Sequence, residues 1–271
     1  MVAQASHVSI KQEALLFLTH TLASAHQTTP IEWDESGWHY QADASVAGPL
    51  TCQYILVLDA LNFCFWPTPG LEYEHLARGL KRVLEKDQHA FDAERLAVVT
   101  PEIVASWIDF SPEEAAAAAA AASSSSPSSS RSSGAIISST SSSLPSSLTT
   151  FPLLLERTRK TRELGHVLLR HFQGLASNLI LKSNHSAVEL VRLLTAYFPS
   201  FRDESLYRGE LIFFYKRAQI FTADVWAAYG KKTGSEHPFA FGDMNELTMF
   251  ADYRVPQVSV FNMFSFYFLD Y

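Results

Sequence analysis

The sequence predicts a mostly α-helical protein, and three observations carry that prediction. Apolar residues recur at three- and four-residue spacing through most of the chain. Helix-starting residues stand just ahead of several of these stripes, and Pro or Gly closes them. Alternating apolar and polar runs are rare, so only a few short strands are expected, within the first 60 residues.

The first helix is expected over roughly 8–26, with Ile10, Ala14, Leu15, Leu18 and Leu22 at helical spacing. Thr28-Thr29-Pro30 breaks it, and Ile31–Tyr40 reads as a short strand or an ordered loop. Residues 54–66 form a dense apolar block closed by Pro67, Pro69 and Gly70. An amphipathic helix over 71–86 places Tyr73, Leu76, Leu80, Val83 and Leu84 on one face. Thr100 as N-cap and Pro101 at the first turn open a helix to about Phe110.

Ser111 with Glu114 three residues later is a capping box, and the alanines behind it extend a short exposed helix. The serines that follow bury too little apolar surface to offset ordering entropy. Residues 115–150 are therefore expected to be a disordered insert within a single domain spanning 1–271. A helix over Leu153–Phe172 follows, interrupted at Gly174. Ser186 and Glu189 make a second capping box, opening a helix that Pro199 ends. After a polar turn at Phe201-Arg202-Asp203, Leu211–Tyr229 is apolar almost all round and expected to be a central helix, with Gly230 as its C-cap.

Twenty-one basic against 28 acidic residues give a net charge of −7, and the pI is about 5.8. That balance argues against direct nucleic-acid binding, whose affinity comes from cations neutralising phosphates. A small anionic ligand needs only a few local cations and is not excluded. Cys52 and Cys64 make neither a disulfide framework nor a four-thiolate zinc site. No segment reaches the roughly 18 unbroken apolar residues of a membrane span, and no secretory signal is read at the N-terminus. The cytoplasm is the expected compartment, with the nucleus as the other option. HExxH, Walker and GxSxG motifs are missing, so zinc hydrolysis, P-loop chemistry and serine esterase chemistry lack support.

Four places can carry chemistry. In Asp59-Ala60-Leu61-Asn62-Phe63, with Trp66, a carboxylate and a carboxamide sit in an aromatic block. They are either a structural core network or the edge-reading groups of a purine-sized pocket. Lys216 and Arg217, followed by Gln219, are either a solvated helix end or cations that reach an anion or a cleft. Asp252, between aromatics and next to Tyr253 and Arg254, is an N-cap, a partner of Arg254, or a carboxylate set as a general base or cation stabiliser. Ser200-Phe201-Arg202-Asp203 reads as a structured turn. His39 could reach a ligand, but a surface or aromatic-packing role is the favoured reading, and no histidine shows metal-ligand spacing.

DALNFCFWP at 59–67, FPSFRD at 198–203, FYKRAQI at 214–220 and LTMFADYRVPQ at 247–257 together resemble the queuosine salvage proteins. These are queuosine 5′-phosphate N-glycosylases that release the base queuine. Four blocks in the same order are far more specific than one, and the similarity runs from about 30 to 257, skipping the insert. The resemblance implies a single domain similar to helix-hairpin-helix DNA glycosylases, and a metal-free, cofactor-free hydrolase. Its substrate is a small nucleotide whose base is salvaged for tRNA modification, and no membrane or direct nucleic-acid partner is implied. By the resemblance Lys216 and Asp252 are the catalytic pair. Asp59, Asn62, Phe63, Trp66, Arg217, Tyr253 and Arg254 are substrate-binding residues by the same token. Family members continue past the VPQ block where this chain ends at Tyr271, so a truncated C-terminus is expected. The alternative is a truncated binding protein for queuine or its nucleotide that has lost turnover.

Overall fold

The first half of the apolar block at 54–66 belongs to a helix that begins well before it. In the computed structural model, which describes residues 11–25, 33–42, 44–66, 68–124, 151–230, 237–252 and 255, helix α2 spans Ala44–Leu61. Every residue from Thr51 to Leu61 is buried. A helix that is apolar all round must be surrounded on all sides, and α2 is the axis on which the rest of its unit packs.

The described residues fall into two units. Helix α1 (Gln12–Ala25) belongs to one with residues 249–252 and 255, and residues 33–248 form the other. In the larger unit α3 (Tyr73–Lys86) lays Leu76, Leu80 and Leu84 inward. The short α4 (Ala93–Ala97) and α5 (Pro101–Ser106) follow. Thr100 caps α5 by accepting the Ile103 N–H. Helix α6 (Pro112–Ser124) opens on the expected capping box: Glu114 accepts from the Ser111 N–H at 2.7 Å, and Ser111 Oγ from the Glu114 N–H at 3.1 Å. The insert thus begins as helix, and its remainder from 125 to 150 lies outside the described residues.

Helix α7 (Leu154–His171) packs on α2, α4 and α5. Its Gly165 is required there, because a Cβ would lie 2.3 Å from the Ala97 nitrogen and 2.5 Å from the Ala93 oxygen. Helices α8 (Ala176–Lys182) and α9 (Ala187–Tyr197) complete this side. Ser186 caps α9 as expected, but Glu189 pairs with Arg192, and Asp243 reaches back to accept the Ala187 N–H. Helix α10 (Lys216–Val225) packs on α2 and α9 and runs on as one wider π-helical turn, Trp226–Gly230.

Two expectations need correction. Among the described residues the strands are not in the first 60. They are β1 (Glu204–Tyr207) and β2 (Glu210–Phe213), an antiparallel hairpin turning at Arg208-Gly209. Both turn residues have positive φ, 52° and 84°, as the tight hairpin turn requires. Residues 33–40 are an ordered, turn-rich loop. The central helix accordingly starts at Lys216, after Tyr215 at φ 48°, and not at Leu211. A short apolar run such as Leu211–Phe214 fits strand or helix equally well. Here Leu211–Phe213 forms strand, and Leu211, Phe213 and the following Phe214 are exposed. Helices α4 and α8 were not expected because neither exceeds two turns, too short for a period to register.

Candidate active site

The C-terminal turn of α2 brings together most of the residues that the sequence singles out. It ends at Leu61, whose carbonyl, like those of Phe63 and Cys64 just beyond, needs a donor from outside the helix. Arg157 on α7 supplies all three: its guanidinium donates to Leu61 O at 2.5 Å, to Phe63 O, and to Cys64 O at 2.9 Å. Its Nε donates to Pro152 O at 2.7 Å. The guanidinium is fully buried and sits over the rings of Phe151 and Phe63, 3.9 and 4.3 Å from their centroids. Burial without a carboxylate partner lowers its pKa to about 9, which still leaves it charged at neutral pH.

Arg217 clamps the same turn from the other side. It donates to Ala60 O at 3.0 Å, to Ser200 O, and to Asp203 Oδ1 at 2.7 Å. Asp203 also accepts the Arg217 backbone N–H, at the start of α10, while its carbonyl accepts the Phe214 N–H at 2.9 Å. The FRD and YKRAQ blocks are therefore one structural unit that closes the base of the hairpin and fixes the start of α10.

Between these clamps lies Asp59, fully buried, with no hydrogen bond to either carboxylate oxygen. An orphaned buried acceptor costs about 1–3 kcal/mol. Burial, and then the charge of Asp224, push this carboxyl well above the usual range. Lys216, Asn62 and Arg217 pull the other way; Asn62 comes near without reaching hydrogen-bond geometry. Asp224, two turns along α10 from Lys216, is itself pushed up to about 7 by burial, against a hydrogen bond from the Trp33 side chain. Burial works against ionising either carboxyl, and the charge of Asp224 adds to that at Asp59. Such a carboxyl, while protonated, can donate its proton to a departing group.

The 33–40 loop supports this cluster. Asp34 Oδ1 stands 3.1 Å from His39 Nδ1, and His39 Nε2 stands 2.9 Å from the Tyr73 hydroxyl. Trp33 stacks on the His39 ring at 4.7 Å. Aromatic packing was expected of His39, but the ring is buried, and burial lowers its pKa.

Of the expected site residues, Asn62, Lys216 and Arg217 all act electrostatically on the buried carboxyl of Asp59. Phe63 stands beside them, its ring 4.3 Å from the Arg157 guanidinium and 5.2 Å from that of Arg217. Trp66 does not join the cluster; it is 76% exposed. Arg217 spends most of its donors on protein acceptors, so its observed part is to hold the turn. Asp252, in the other unit, is half-buried, and its Oδ1 accepts the Val255 N–H at 3.2 Å, the i to i+3 bond of an N-cap. Tyr253 and Arg254 lie outside the described residues. Sequence reasoning missed Asp224, Tyr73, Trp33, Asp34 and Arg157. The spacing of Asp224 from Lys216 along one apolar helix was the one available signal.

The comparisons with known proteins bear on the same residues. The family model described as "Queuosine salvage protein" matches residues 39–124 and 116–267. The chain belongs to the queuosine salvage protein family. A relative from Dictyostelium discoideum, named queuosine 5′-phosphate N-glycosylase/hydrolase, is 39% identical over 263 residues, covering 93% of this chain and 67% of its own. One of the same name from Sphaerobacter thermophilus is 37% identical over 270 residues, covering 95% and 68%. A Mus musculus relative of that name is 46% identical over 111 residues, 41% of this chain and 31% of its own. The matched span holds Asp59, Lys216, Asp224 and Asp252, so the buried carboxyl cluster lies inside the shared domain.

Proposed function

We propose that this chain hydrolyses the N-glycosidic bond of queuosine 5′-phosphate, releasing queuine and ribose 5-phosphate. The observation that carries the reading is alignment over more than nine-tenths of the chain with two relatives that bear this activity in their names. Buried Asp59 and half-buried Asp224, both with raised pKa and with Lys216 in electrostatic reach of Asp59, are groups that such a reaction can use.

Cleavage leaves the electron pair of the C1′–N bond on the base and builds positive charge at C1′, an oxocarbenium-like state that carboxylates stabilise. Asp252 stabilises that charge and takes the proton of the attacking water, whose oxygen bonds to C1′. Lys216 holds the ribose phosphate or orients the acidic groups. Queuine is a 7-deazaguanine, so the usual N7 proton acceptor is a carbon and the leaving base must be helped through other edges. Asp224, whose charge acts on Asp59, supplies that proton. Asn62 and Phe63 border the base, and Tyr253, Arg254, Arg217 and Trp66 remain candidates for the outer contacts. No metal or cofactor is needed for hydrolysis by this route.

The helical bundle is read as a scaffold like that of helix-hairpin-helix DNA glycosylases. The net charge of −7 fits a free nucleotide better than a polyanion as its substrate. A cytoplasmic or nuclear setting agrees with a base destined for tRNA modification. The direct test is to incubate the purified chain with queuosine 5′-phosphate and follow free queuine. Release that is lost in Asp252→Asn supports the reading; tight binding of queuine without any release would replace it with a binding protein.

A further inference from the structure

The hydrogen-bond chain from Asp34 through His39 to Tyr73 has a fixed direction. Asp34 Oδ1 accepts the His39 backbone N–H at 2.7 Å and faces His39 Nδ1 at 3.1 Å. An ionised carboxylate only accepts, so Nδ1 carries the hydrogen. The neutral imidazole then presents a lone pair at Nε2, and the Tyr73 O–H at 2.9 Å donates to it. With its hydrogen committed, the Tyr73 oxygen offers only lone pairs to anything else. It lies within electrostatic reach of Asp224, Asp59, Tyr54 and Asp34. Among the described residues no protein donor is bonded to that oxygen.

We propose that Tyr73 is a specificity-determining residue: its hydroxyl oxygen, held as an acceptor by the Asp34–His39 pair, takes a hydrogen bond from an N–H donor of the substrate's base. This rests on the nucleotide-hydrolase reading above and adds to it a residue and a pH signature. The loop ties the arrangement together. Trp33 stacks on His39 while its side chain bonds Asp224, so one segment fixes both the tyrosine's polarity and the neighbouring carboxyl.

Acid reverses the chain. When His39 takes a second proton, at Nε2, that N–H donates to the Tyr73 oxygen and the tyrosine's own hydrogen turns toward the site. Acceptor becomes donor, and the base's N–H meets an O–H. Burial opposes protonation of His39, as does Lys81 on α3, whereas Asp34 favours it. Asp224 and Asp59 lie beyond Tyr73 and titrate on their own account. Their titration is common to wild type and to Tyr73→Phe, but the reversal belongs to the hydroxyl.

The test is steady-state hydrolysis of queuosine 5′-phosphate by the full chain between about pH 5 and 8, for wild type and Tyr73→Phe, alongside a titration of queuine binding by tryptophan fluorescence. At pH 7.5 the variant should raise KM about tenfold with kcat within about threefold, the pattern of lost ground-state recognition. The KM of wild type should climb toward acid, and that climb should be missing from the variant. Repeating the series with 7-deazaguanosine 5′-phosphate, which lacks the aminomethyl arm, locates the donor. An undiminished effect of Tyr73→Phe places it on the ring edge, and a vanished effect places it on the arm. Superimposable KM–pH profiles, or a fall in kcat with KM unchanged, overturn the proposal while leaving the hydrolase reading intact. If wild type binds queuine without turnover, the hydrolase reading falls and the same pH difference must be found in Kd. If it neither hydrolyses nor binds, both fall together.

Discussion

The last turn of α2 handles buried charge in two opposite ways. On its outgoing side the guanidinium of Arg157 is sunk among Phe63 and Phe151, with carbonyls of Pro152, Leu61, Phe63 and Cys64 as acceptors. Less than one turn back, the carboxyl of Asp59 is just as buried and has no hydrogen bond at all. A satisfied buried group is a structural clamp, whereas an orphaned buried polar group calls for an explanation other than stability. The difference separates a side chain that holds the turn from one that is left for chemistry, although both act at the same turn of α2.

The largest effect should come from the working side. Lys216→Met and Asp252→Asn should each lower kcat on queuosine 5′-phosphate by about 10²–10⁴-fold, with thermal unfolding little changed; assays beside melting curves decide it. A loss of fold in parallel with activity would erase the distinction. Next is the clamp. Arg157→Met leaves four carbonyls short of a donor and should cost about 3–5 kcal/mol, a drop in Tm on the order of 10 °C. A variant as stable as wild type would show that the aromatic cage alone holds the turn.

The acid pair has the sign opposite to that of most surface carboxylates. Asp224 and Asp59 have folded-state pKa values raised above their unfolded ones, mainly by burial. Their contribution to stability is therefore full at acid pH, below the unfolded pKa, and is lost as pH rises through the folded value, about 7 for Asp224. Stability should fall between about pH 5 and 8 by on the order of 1–3 kcal/mol. Asp224→Asn should flatten that slope in melting curves taken across the range, and an equal slope in the variant would remove the pair as its source. The smallest effect tests the edge of the clamp. Lys160 stands 5.5 Å over the Phe63 ring and pairs with Glu156 at 3.3 Å. Lys160→Met should cost no more than about 1 kcal/mol, because no carbonyl of the turn depends on it.

Legibility in the sequence followed length and locality. Helices three or more turns long, such as α3, α7 and α9, declared themselves by period, and the caps at Thr100, Ser111 and Ser186 did so by side-chain chemistry that acts within three residues. Short elements did not. Neither α4 nor α8 spans enough of a period, and the run at Leu211–Phe214 is as good a helix as a strand until its hairpin partner is known. The site behaved alike. Asp59, Asn62 and Lys216 stood out as polar residues in apolar surroundings, which is a local contrast. Arg157 looked like one of many charges on an amphipathic helix, yet it is buried. Trp66 looked like a pocket aromatic, yet it is exposed.

By itself the sequence determined the helical class, the family, and the blocks that carry the family resemblance, because propensity, capping and motif identity are properties of neighbouring residues. Only the tertiary structure decided which charges are satisfied. Arg157 finds its carbonyls more than 90 residues away in sequence, at Leu61–Cys64. Asp59 meets Asp224 across two helices, and His39 meets Tyr73 across 34 positions. Solvation and hydrogen bonding act through space, so the state of a buried ion, and with it the site's proton chemistry, is settled by who packs against it.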